Sequence, residues 1–217
     1  MSYAHILYIP TIFLLGFLGG FLVGKGSNNS EGTSGQSRIT SRTLLGSFLI
    51  VLIVFVGTHF FEIPRSSKAV TKALNGLEIF DKKPSYTSDE VYSRLAAFPE
   101  KGRQLYKEFT YTIDVLFPLT LFTFLFLLAR FAIHRNPVSR AIQIFIVALP
   151  ILWISMDFIE NAIIFRLLHN YPVKYDALAG MLGYITIIKF SLLLLTILVP
   201  TVLMTISNMC QRVSTNA

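Results

Sequence analysis

The sequence predicts an all-α integral membrane protein: a four-helix transmembrane bundle plus one extra N-terminal transmembrane helix on a flexible linker. Three observations predict it. Of the 217 residues, 53% are hydrophobic and only 14% are charged, with a mean hydropathy of +0.60. A soluble domain averages about 25% charged residues. The apolar residues also gather in long runs, at about 5–23, 43–61, 111–133, 141–165 and 178–206. About 20 residues, each rising ~1.5 Å, cross a hydrocarbon core roughly 30 Å thick. Finally, GKGSNNSEGTSGQS, residues 24–37, sets the first run apart from the other four. A stretch so rich in Gly and Ser is a flexible linker.

The first run, within residues 1–23, reads as a retained helix and not as a cleaved signal. MSYAH brings no Lys or Arg, and the apolar stretch is longer than a signal core. Gly16, Gly20 and Gly24 recur every fourth residue, a spacing that lets another helix approach closely in lipid. Residues 5–24 are therefore a candidate helix–helix partner surface. Residues 24–42 form the linker, 43–208 the four-helix domain, and 209–217 a C-terminal tail.

The second run is followed by a polar segment, 62–110. SSKAVTKALNGLEIF has Val70, Leu74 and Leu77 at helical spacing. It lies either on the membrane surface or against the bundle. Thr87 and Glu90 make a capping-box pattern that opens SDEVYSRLAAF. Pro99 suits the first turn of another helix, expected to run through EKGRQLYKEFTYTID into the membrane. The fourth and fifth runs, joined around HNYPVKYD, form an antiparallel hairpin.

Charge sets the orientation. Lys25, Arg38, Arg42, Arg130, Arg135, Arg140 and Arg212 flank one side of the spans, with Glu31 as the only acid. The opposite short loop has Arg166 and Lys174, and the 62–110 segment carries both signs. Counting short loops, residues 24–42 and the C-terminus are expected in the cytoplasm. The net charge of +7 is spread over span flanks, which points to the lipid bilayer and not to nucleic acid. The single cysteine, Cys210, excludes an internal disulfide and a thiolate metal cluster. No phosphate loop, nucleophile elbow or HExxH is present, and neither a cofactor nor a metal is expected.

Against this greasy background stands SMDFIENAIIF, residues 155–165. Asp157, Glu160 and Asn161 share one helix face, with Trp153 one turn earlier. An acidic side chain at the centre of a span costs about 2.5–3.5 kcal/mol on insertion scales, so such groups face the bundle and take partners. Lys189, in YITIIKFSLLLL, lies about as far after Pro172 as Asp157 lies before it. The hairpin therefore predicts an Asp157–Lys189 or Glu160–Lys189 ion pair, with Thr186 a turn away. Asp114 enters from the third run, four residues before Pro118. Extending that stripe backward gives Tyr106 and Arg103, the latter as a bidentate partner for a carboxylate. The groups share one half of the membrane, which points to a polar cavity roofed by the 62–110 segment.

KGRQLYKEFTYTIDVLFP (101–118) and MDFIENAIIFRLL (156–168) resemble a pattern of uncharacterised multi-pass membrane proteins. That pattern is G-R-x-x-Y, then an Asp and F-P, then D-x-x-E-N in a later span. The resemblance covers about 43–206 and implies a four-helix membrane domain, with no activity attached. Three functions compete: a module that binds or moves a small polar or amphiphilic ligand, a membrane enzyme using a buried carboxyl as general acid or base, and a structural or assembly protein.

Overall fold

The computed structural model describes residues 39–136 and 138–215, with side chains to residue 206. Residues 5–24, with Gly16, Gly20 and Gly24, lie outside the described residues. The elements are α1 (Ser41–Phe60), α2 (Ser67–Ala73), α3 (Ser88–Ala97), α4 (Glu100–Phe109), α5 (Ile113–Arg135), α6 (Arg140–Asn170) and α7 (Asp176–Thr215). Among the described residues there is no strand.

Four stretches are long and apolar enough to cross a membrane: Ser41–Phe60, Glu100–Arg135, Arg140–Asn170 and Asp176–Ile206. Their surfaces fit an integral membrane protein in a lipid bilayer. Ile53 on α1 is 71% exposed and Ile144 on α6 is 62% exposed, amid many other exposed apolar side chains. So many exposed apolar side chains on helices of this length suit lipid. α6 and α7 pair most extensively, and α5 packs on both. α1 sits outside, against α5, through Phe48–Phe124 and Phe55–Phe117 ring contacts at 5.5 and 5.3 Å.

The segment between α1 and α5 folds into a cap. Of the two placements open for 66–80, the structure shows packing against the bundle. Val70, Leu74, Phe80, Val91, Leu95, Phe98 and Tyr106 form one core with Ile164 and Leu167 of α6 and Leu182 of α7. Leu77 leaves that stripe and is exposed, because α2 ends first and Asn75 and Gly76 turn left-handed, at φ 56° and 83°. The capping box of α3 is complete. Thr87 Oγ1 accepts from the Glu90 amide at 3.2 Å, and Glu90 Oε2 accepts from the Thr87 amide at 3.3 Å. Gly102 lets α4 cross the end of α2, since a Cβ there would stand 2.5 Å from the Ala73 carbonyl oxygen.

One expectation is corrected. The helix beginning after Pro99 does not run unbroken into the membrane. It stops at Phe109, and α5 starts at Ile113. The hydroxyls of Thr110 and Thr112 donate to the carbonyls of Lys107 and Glu108, at 2.8 and 2.7 Å. Such local bonds compete with the helical ladder. α6 and α7 also run past the apolar runs, to Asn170 and Thr215.

Candidate functional site

The site is built where α6 and α7 face each other under the cap. On α6, Asp157, Glu160 and Asn161 are 5%, 0% and 6% exposed. On α7, Thr186 and Lys189 are equally buried. The Lys189 ammonium donates to Glu160 Oε2, and the Thr186 hydroxyl donates to Glu160 Oε1. Both Glu160 oxygens are thus engaged. Lys189 Nζ also lies 3.3 Å from Asp157 Oδ1. The helical hairpin brings these side chains to one depth because its turn lies almost midway between them.

A third carboxylate comes from the cap. Asp81 Oδ2 lies 3.7 Å from Lys189 Nζ, and its side chain is 22% exposed against 6% for that of Lys189. Asp114, half-buried on α5, stands within electrostatic reach of Asp81, Asp157, Glu160 and Lys189. One ammonium therefore faces three carboxylates, with a fourth nearby. At an effective dielectric of about 20, two unit charges 4 Å apart interact by about 4 kcal/mol, so carboxyl groups held this close need the Lys189 cation among them. Among the described residues, nothing hydrogen-bonds Asp157 Oδ2, Asp81 Oδ1 or either amide atom of Asn161. Nor is any group of three or more His, Cys, Asp or Glu among them arranged to hold a metal ion.

The loop carrying Asp81 is held from three directions. The Tyr106 hydroxyl accepts from the Phe80 amide at 2.9 Å. The Arg94 guanidinium lies over the Phe80 ring, 4.4 Å from its centroid. It donates to the Glu78 carbonyl at 2.7 Å, to Ser85 Oγ at 2.9 Å and to the Lys83 carbonyl. Burial lowers the pKa of this guanidinium from its usual value, opposed by the neighbouring Tyr106, Glu78 and Glu90. On the far side, the Gly183 amide of α7 donates to the Ser85 carbonyl at 3.0 Å. Tyr106→Phe is expected to cost about 1–2 kcal/mol by stranding the buried Phe80 amide. Denaturant unfolding in detergent micelles measures it; an unchanged midpoint would refute the bond's role.

Arg103 does not join the carboxylates. It donates to the carbonyls of Leu95 (3.1 Å) and Phe98, and lies 4.6 Å from the centroid of the Tyr171 ring. There it lines an open groove with Lys101, Lys107 and His169. The break at 110–112 is the reason: it ends the straight stripe that would have run from Asp114 back to Arg103. Tyr106 serves the cap core and touches the site only through the Asp81 loop. Trp153, a turn from Asp157, packs with Leu125 and Ile154. At the edge of the cap, Glu62 pairs with Lys72 at 2.6 Å, and this hydrogen bond lowers the carboxyl's pKa.

Sequence reasoning missed Asp81. Its one signal is position: Ile79 and Phe80, both apolar, precede it in a polar stretch, so a buried segment delivers an acid at its end.

The chain matches no protein-family model, no curated protein and no solved structure in these comparisons. Its four apolar helices fit a membrane protein.

Proposed function

We propose that this membrane protein binds, and through its spans moves, a small polar or amphiphilic ligand at the Lys189 centre. One observation carries the reading. Asp157 and Asn161, more than nine-tenths buried on one face of α6, hold polar atoms with no partner among the described residues. Buried polar atoms left unpaired cost about 1–3 kcal/mol each, and a helix-gluing network gains nothing from them. Ionisable groups inside spans are functional candidates by default. Asp81 and Asp114 extend the same site, with Thr186 holding Glu160 in place.

The basic residues of the short loops support residues 24–42 and the C-terminus lying in the cytoplasm, so the cap and the site open to the other side. The G-R-x-x-Y and D-x-x-E-N segments, whose Asp157, Glu160 and Asn161 lie in the site, support the resemblance to multi-pass membrane proteins.

Native mass spectrometry of the full chain from its own membranes tests the function. A small molecule is expected on the wild type and not on Asp157→Asn or Asn161→Leu, with membrane abundance unchanged. If the wild type carries nothing, or if both variants vanish from the membrane, the residues are structural and the reading fails.

A further inference from the structure

The chemistry of the unpartnered atoms narrows the ligand. Asp157 Oδ2 and Asp81 Oδ1 are carboxylate oxygens, which accept hydrogen bonds and donate none. They belong to the two carboxylates that Lys189 satisfies least, at 3.3 and 3.7 Å, while Glu160 has both oxygens engaged. Asn161, one turn from Asp157 on the same helix, adds an amide oxygen and an amide nitrogen, both without a partner among the described residues, so the site offers three unpartnered acceptors and one unpartnered donor group. Lys189 is one cation among three carboxyl groups within 3.7 Å, and Asp114 is a fourth within electrostatic reach. An anion brings more acceptors to oxygens that already lack donors, and a ligand without a donor leaves them unpaired.

Resting on the ligand-site reading above, we infer that the occupant is a small primary ammonium, held between Asp81 and Asp157 beside Lys189. An ammonium carries three donors and one positive charge, which suits carboxyl oxygens that lack donors. It reaches the site past Asp81, the most exposed of the three carboxylates around Lys189. Admission requires the 78–87 loop to lift, because the unpartnered oxygens are closed off from solvent while it is docked.

Ethylammonium chloride is the probe, titrated calorimetrically into the full chain in lipid nanodiscs at neutral pH. Ethanol, sodium acetate and sodium chloride serve as neutral, anionic and donor-free counterparts. Saturable binding is expected for ethylammonium alone. It should weaken at least about tenfold in Asp157→Asn, by loss of a charge-assisted bond. Asp81→Asn, at a partly exposed position, should weaken it comparably. Lys101→Gln, in the separate groove, should leave it unchanged. Equal binding of sodium, or ethylammonium binding that survives both Asp variants, overturns the inference. Binding of acetate or ethanol that Asp157→Asn abolishes also overturns it, yet leaves the ligand site standing. If no probe binds and the protein from native membranes is empty, both fall together.

Discussion

Lys189→Met is expected to destabilise the protein by about 3–5 kcal/mol, the cost of removing one partner from a buried ion pair. Methionine restores most of the volume, so the loss is electrostatic. Glu160, fully buried, would keep only Thr186 as a donor, and Asp157 and Asp81 would face it without an intervening cation. The double variant Lys189→Met with Glu160→Gln is expected to recover part of the loss, since it removes the most buried uncompensated charge. Unfolding of purified protein in mixed micelles, titrated with a denaturing detergent, compares the three. A neutral Lys189→Met would mean that the lysine does not hold the carboxylates in the folded protein.

Gly183→Ala is expected to cost about 3 kcal/mol, the upper part of the range for overpacking. A Cβ at Gly183 would stand 2.6 Å from the Ser85 carbonyl oxygen and 2.6 Å from the Tyr86 ring. The first obstacle is backbone and cannot rotate away, so the 78–87 loop must move off α7. Gly180 supplies the control on the same helix. A Cβ there meets nothing within 4 Å, and Gly180→Ala should be neutral or slightly stabilising. Hydrogen exchange separates the outcomes: amides of residues 78–87 should exchange faster in Gly183→Ala only. Equal exchange in both variants would show that the loop is not docked through Gly183.

How much of this was legible in the sequence depends on the kind of signal. The four apolar spans were, because lipid demands length and greasiness, which composition states directly. The convergence of Asp157, Glu160, Thr186 and Lys189 was legible for a geometric reason: a tight turn near Pro172 fixes the register of two straight helices. A helical stripe extended backward from Asp114 predicts Arg103 and Tyr106 beside it, and the break at Thr110–Thr112 ends that stripe. Threonines occur in helices and in breaks alike, so the sequence does not announce the difference. Asp81 was hidden among the charges of 62–110. What places it is the docking of a loop by Tyr106, Arg94 and Gly183, and loop docking leaves no periodic trace.

The cap and the hairpin share one hydrophobic core, and that sharing has a consequence for how the protein is made. Phe80, Leu95 and Tyr106 emerge from the ribosome long before Leu182, Thr186 and Lys189, against which the finished cap and cluster close. Contacts between such distant parts of the chain form only after both have been synthesised. Between the synthesis of Glu160 and that of Lys189, 29 residues later, α6 carries its acids without their cation. The docking of α7 closes the cap and, in the same event, completes the charge cluster beneath it.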